Sequence, residues 1–311
     1  MRSLWIPIML GAALPLSAAV APIHVVVAQD GTGDFPTVQN AVDHVMDRVL
    51  DPYSGRVIIE IKPGVYHERV RIPPDRPRIT LLGSDAAKTV ISYSVGAKDV
   101  GGTFFSAVVD IGAAEFEADN ITFENTYGAG TQAVAVSVHS DRAIFRHCRF
   151  LAMQDTLYAA SGRQYYEDCY IAGHVDFIFG DAEALFERCE IRSRGTGYLT
   201  AVSKTMPAGK DGFVFDHCRL TADPGVKDVY LGRPWRLYAR TAFLNCWMGE
   251  HIRPEGWNNW NKPEAEKDSY YAEFGSEGPG GVMDKRVKWA HTLTGSEAEK
   301  ILTEAWKPAD R

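Results

Sequence analysis

The chain has 311 residues, 45% of them hydrophobic and 23% charged, ample for one large core. A formal net charge of −7 and a pI near 5.7 argue against nucleic acid or an anionic membrane as a partner. The basic run Lys285-Arg-Val-Lys288 is short and interrupted, and reads as a solvated strand face.

Arg2, an apolar stretch from Leu4 to Leu16 and the small residues Ser17-Ala18-Ala19 read as a secretory signal over 1–19, cut after Ala19 or, as second choice, after Ala21. Residues 20–311 are then expected to be exported, either secreted or periplasmic. No later stretch is long and apolar enough to span a bilayer. Ile23–Ala28 reads as a first strand, before the turn-rich Asp30-Gly-Thr-Gly-Asp34. Val38, Ala41, Val42, Val45, Met46 and Val49 have helical spacing, and such a helix can cover the open end of a repeat structure. Short β-branched runs follow at Arg56–Lys62, Val70–Ile72, Ile79–Leu82, Val90–Tyr93, Ala107–Ile111, Phe116–Phe123 and Ala133–His139, divided by Gly, Pro, Asp and Asn. Long helices do not alternate with them, which disfavours doubly wound and barrel α/β folds.

From there the chain repeats. Cys148, Cys169, Cys189, Cys218 and Cys246 recur at steps of 21, 20, 29 and 28. Around four of them the text rhymes: Phe145-Arg-His-Cys148, Tyr166-Glu-Asp-Cys169, Phe186-Glu-Arg-Cys189 and Phe215-Asp-His-Cys218. A fixed period of this length signals a solenoid, and coils of 20 to 29 residues fit three short strands plus turns: an all-β parallel β-helix. Adjacent coils would bring Cys169 and Cys189 to a Cα separation that a disulfide can span. Stacked free thiols packed as small hydrophobes are the alternative. The tail Thr294–Trp306 reads as a helix with Thr294 or Ser296 as N-cap. No linker interrupts the chain, so one domain over 20–311 and a monomer are expected.

Residues one period apart sit one above another. Gln132, Gln154 and Asp176 stand 22 apart, and Asp155 lies 21 before Asp176, so two amides and two acids should converge. Two carboxylates at one rung cannot both ionise cheaply. Arg233 is 57 residues beyond Asp176, about two of the longer coils. Paired with one aspartate, it would keep that group charged as a nucleophile and leave the other protonated as a general acid. Glutamine NH₂ groups suit an oxyanion. This set favours ester hydrolysis over a glycosidase, its nearest rival. A lyase on the same fold and a non-catalytic carbohydrate-binding β-helix are further alternatives. The histidines show no His-x-His or His-Glu-x-x-His spacing, so metal catalysis has little support. A Gly-x-Ser-x-Gly elbow is absent, which disfavours a serine esterase.

The segments Val27–Gln39, Ile121-Thr-Phe-Glu-Asn-Thr126, Gln132-Ala-Val-Ala135, Met153-Gln-Asp-Thr-Leu-Tyr158, Gly173-His-Val-Asp-Phe-Ile-Phe-Gly180 and Leu231-Gly-Arg-Pro-Trp235 resemble, in order, the motifs of the pectin methylesterase (pectinesterase) family. The resemblance implies a right-handed parallel β-helix that hydrolyses the methyl esters of polygalacturonate to release methanol, with no metal or cofactor. It assigns Asp176 as nucleophile, Asp155 as general acid and later base, Gln132 and Gln154 to the oxyanion, and Arg233 to holding the nucleophile. Gln132 and Arg233 would also touch substrate, and Trp235 would lie under a sugar ring. Thr103, with Phe104, falls on the cleft rim by the same likeness. Trp257 is taken as a further sugar-binding residue, with core packing as its alternative. The chain departs from the family pattern at Met153, at His174 for threonine, at Asp181 for asparagine, and at Ser137-Val-His139.

Overall fold

The computed structural model describes residues 21–45, 55–207 and 212–309. The signal reading at 1–19 and the end of the first predicted helix lie outside these residues. Eleven parallel strands form one sheet, running in order from Ile23–Val27 and Val57–Ile61 through Ala143–Arg146, Arg163–Glu167, Glu183–Glu187 and Phe213–Asp216 to Tyr270–Phe274 and His291–Thr292. A second, branched sheet carries the other two strands of each coil. Its two branches merge where Tyr170–Gly180 and Glu190–Val202 run without a break around a corner. Every pairing between these strands is parallel and links successive coils. The result is a parallel β-helix, wound in the right-handed sense that twisted strands favour.

The rhyme in the sequence is the register of the core. Phe145, Tyr166, Phe186, Phe215 and Phe243 are successive ladder partners. Their rings stack in a continuous file with centroids 5.0, 4.6, 4.5 and 4.5 Å apart and planes within 12° of parallel. Two residues on, the chain must turn from the first sheet to the second. Asn120, His147, Asp168, Arg188, His217 and Asn245 make that turn with φ between 50° and 57°. Each precedes an inward residue: Ile121, then the five cysteines, all buried. Phe116–Phe123 is therefore two strands, Glu117–Asp119 and Thr122–Asn125, broken at Asn120.

Cys169 and Cys189 are free thiols, not a disulfide. Their sulfurs point at the carbonyls of Phe145 and Tyr166, the coil before each. An in-register parallel ladder keeps side chains pointing the same way, roughly 4.8 Å apart, whereas a disulfide needs Cβ atoms converging to about 3.8 Å.

The ends are closed as the apolar patterns require. The helix Val38–His44 buries Val38, Ala41 and Val42 over the first coil. Thr37 caps it, and the Glu68 carboxylate accepts from the backbone N–H groups of Val38 and Gln39 at 2.8 Å each. The helix Gly295–Glu304, capped by a reciprocal Thr294–Glu297 box, packs on the outer face of the eleven-stranded sheet over Ile144, Tyr165 and Leu185.

Candidate active site

The site lies where the second sheet loses regularity. Gln132 pairs with Gln154, and Gln154 with Val175, so these amides form one rung-to-rung file. The equal spacing predicted Asp176 in this file, but Asp176 is one residue past the observed partner Val175; it is Asp155, 21 away, that it neighbours. The register of Tyr170–Gly180 against Glu190–Val202 slips between Gly173 and Val175 and again before Ile178. Such a bulge re-aims side chains. Gly173 permits it: a Cβ there would lie 2.3 Å from Phe177 Cβ and 2.6 Å from Thr156 Oγ1. Asp155 and Asp176 themselves take left-handed φ of 64° and 50°, which turns their carboxyls together toward one cleft.

That cleft has a volume of about 300 Å³ and is lined by Thr103, Phe104, Gln132, Gln154, Asp155, Asp176, Phe179, Ala201, Arg233, Trp235 and Trp260. Arg233 forks onto Asp176, Nε donating to Oδ1 at 2.9 Å and Nη2 to Oδ2 at 2.7 Å. Both aspartates are nearly buried, Asp155 at 8% exposure and Asp176 at 6%. Burial pushes the Asp155 carboxyl well above the ordinary range, and the charge of Asp176 adds to this while Arg233 opposes it. Burial raises Asp176 too, against the hydrogen bonds and charge of Arg233 and the charge of His174. Asp155 is thus the group that keeps its proton to higher pH, and Asp176 the one that ionises first.

Aromatic rings form one wall. Phe104, in the turn Thr103–Phe105, lies 5.1 Å from Tyr158 and 6.3 Å from Trp235 between centroids. Phe179 stacks on Tyr158 at 4.7 Å. Trp257 is not part of this wall: it is 1% exposed, stacks on Tyr271 at 4.4 Å and donates from Nε1 to Glu273 at 3.2 Å. Its backbone pairs with Gly232, and that edge of the coil sends the large ring into the core. The residues that the sequence reading missed are Tyr158, Phe179 and Trp260. For the first two a signal existed, since they are ladder partners at the same 21-residue step as the aspartates.

The departures from the family pattern have definite places. Asp181 pairs with Lys204 at 3.1 Å. Ser137 Oγ and His139 Nε2 are 3.0 Å apart. His174 leaves Nδ1 buried without a hydrogen-bond partner.

Ester hydrolysis is the chemistry this arrangement suits, with an anion, an acid and amides facing one open groove, and the protein is of the carboxylic ester hydrolase class on a β-helix. More particularly, the chain belongs to the pectinesterase family, whose model matches residues 24–305. It is 38% identical over 285 residues to "Pectinesterase 31" of Arabidopsis thaliana, covering 88% of each chain. To a pectinesterase of Petunia integrifolia it is 38% identical over 302 residues, 92% of this chain and 80% of that one. Among solved structures, pectin methylesterase from carrot superposes with a TM-score of 0.84 at 38% identity, over 91% of this chain and 92% of that one. The enzyme from Aspergillus niger gives 0.79 at 32% identity, over 90% and 92%.

Proposed function

We propose that the protein demethylates homogalacturonan through an acyl-enzyme on Asp176. The observation that carries this is the bidentate Arg233 fork on one buried aspartate, with a second, Asp155, buried beside it and pushed toward its protonated form. Asp176 Oδ attacks the C6 carbonyl of a methylated galacturonate. The negative charge moves onto the carbonyl oxygen, opposite the amides of Gln132 and Gln154. As the tetrahedral centre collapses the C–OCH₃ bond breaks, and Asp155 gives its proton to methoxide, so methanol leaves. Water then attacks the mixed anhydride while Asp155, now anionic, takes its proton. Asp176 is released as carboxylate and the sugar as free acid, which restores both groups. Trp235, Phe104 and Thr103 would line the sugar path, and Gln132 and Arg233 would touch the substrate as well as serve the reaction.

A long polymer requires an open groove, which the cleft provides, and no cofactor enters any step. The solved neighbours include a pectin methylesterase in complex with a hexasaccharide, 30% identical with a TM-score of 0.79. An exported monomer, secreted or periplasmic, accords with a polysaccharide substrate; among the described residues no helix is long and apolar enough to cross a membrane.

The test is product analysis. Wild-type protein on methylated pectin should release methanol without new reducing ends or unsaturated products, and Asp176→Asn should release none. Reducing ends would favour the glycosidase reading, unsaturated ends the lyase reading, and affinity without turnover a binding module.

A further inference from the structure

Arg233 is gripped on its faces as well as along its edge. The Trp260 ring centroid lies 3.6 Å from the guanidinium carbon and that of Tyr198 lies 3.8 Å from it. Two rings at such distances from one planar group take its two sides. The file extends in both directions. Tyr230 stacks on Tyr198 with centroids 5.3 Å apart and planes 10° from parallel, and Arg253 covers Tyr230 at 4.9 Å. Beyond Trp260, the Lys262 ammonium sits 4.8 Å from the indole.

The loop that supplies Trp260 is built to stay in place. Leu231 N–H donates to Gly256 O at 2.7 Å, and Asn258 N–H to Gly232 O at 3.1 Å. Lys262 Nζ donates to the carbonyls of Pro234 and Trp235, 2.9 Å each, which ties the loop to the residues just after Arg233. Trp260 holds a left-handed φ of 55°, a conformation that bulky side chains rarely adopt and that persists only where the surroundings over-determine it. A guanidinium forms its two-bond fork only while coplanar with the carboxylate, and its long stem is otherwise free to tilt. Rings on both faces remove that freedom and keep water off the cation.

We propose that Tyr198 and Trp260 are positioning residues of the reaction, holding Arg233 coplanar with the Asp176 carboxylate. This rests on Asp176 being the nucleophile. The groups facing Asp176 are Asp155 from the preceding coil, His174 on its own strand, Arg233 on the loop above and the Tyr271 hydroxyl from the C-terminal coil. Of the four, Arg233 is the one the rings touch. Loosening it takes stabilisation from the Asp176 anion, so the acid limb of kcat/KM moves to higher pH.

The decisive variant is Tyr198→Leu, because Tyr198 does not line the cleft, whereas Trp260 does and could also meet sugar. Methanol release should show kcat reduced roughly tenfold, KM within about twofold and the acid limb shifted upward; Tyr198→Phe should restore all three. Trp260→Leu, in a surface loop, should show the same limb shift and serves if Tyr198→Leu fails to fold. An unchanged kcat and pH profile in a folded Tyr198→Leu protein overturns the proposal, and so does a rise in KM alone. If wild-type protein releases no methanol, the proposed function fails instead. If wild type turns over, Asp176→Asn does not and Tyr198→Leu matches wild type, only the positioning role is lost.

Discussion

Two files of left-handed residues run through this solenoid, and they use one backbone device for opposite ends. Asn120, His147, Asp168, Arg188, His217 and Asn245 turn the chain from one sheet to the next, with φ between 50° and 57°. Asp155 and Asp176 take φ of 64° and 50° on the cleft side. In the turning file the side chains reach water: those of His147, Arg188 and His217 are 53%, 45% and 61% exposed, and His147 pairs at the surface with Asp119. In the cleft file the same twist carries two carboxyls into a nearly buried site. A left-handed residue costs on the order of 1–2 kcal/mol; a repeat fold meets that cost at every coil. Burying charge as well is an added cost, and it falls where the reaction is proposed to occur.

The sharpest way to separate the two files is to remove the charge and keep the shape. Asp176→Asn should lower methanol release by roughly ten thousandfold, and it should cost about 3–5 kcal/mol of stability because Arg233 is left without its anionic partner. His217→Gly, in the turning file, should leave turnover untouched. Methanol release retained by a folded Asp176→Asn protein would mean that the aspartate serves the fold rather than the chemistry.

Next in size is the core. Phe215 is fully buried, with Phe186 and Phe243 stacked 4.5 Å away on either side. Phe215→Ala should cost about 3–5 kcal/mol, read from urea unfolding, with turnover per folded molecule unchanged. Altered turnover at full folding would show that the ring file and the cleft are coupled.

A smaller effect separates the files by pH. Asp155 and Asp176 have folded-state pKa values above the ordinary range, so folding takes up protons, and their contribution to stability falls as pH rises from about 4. Asp141 is the reverse case: the Arg163 fork holds it down to about 2, so its contribution is lost as pH falls from about 4 toward 2. The urea midpoint of Asp155→Asn should therefore fall less with rising pH than that of the wild type. Equal slopes would contradict the burial argument.

Much of this contrast was legible in the sequence. The period, the aromatic–cysteine rhyme, the Thr294 cap and the two amides, two acids and one arginine of the cleft all follow from residue types at fixed steps. What escaped depends on where the chain bends. The break at Asn120 hid because Ile121 stands where later coils carry cysteine, so the rhyme was not heard there. Gln154 faces Val175 rather than Asp176 because those two coils keep a step of 21 throughout, whereas Gln132 to Gln154 spans 22, a difference that spacing alone does not reveal. Trp257 and Trp260 lie three residues apart in one aperiodic loop, and one enters the core while the other lies over Arg233. Only the loop's hydrogen bonds to the preceding coil decide which.

The smallest expected effect is none at all, and it bears on the turning file. The five cysteines follow its left-handed residues in consecutive coils, all buried, and Cys169, Cys189, Cys218 and Cys246 donate to carbonyls of the coil before. A disulfide between Cys169 and Cys189 would have to draw two parallel side chains together and pull that pair of coils out of the spacing its neighbours keep. All five sulfurs are also buried, which keeps them from any disulfide in solution that could start an exchange. The melting temperature should therefore be the same with and without reductant, and alkylation before denaturation should leave all five thiols unlabelled and after denaturation label all five. A melting temperature lowered by reductant, or two thiols missing from the denatured count, would show that the ladder can close after all and that its regular spacing yields more readily than the aromatic file beside it suggests.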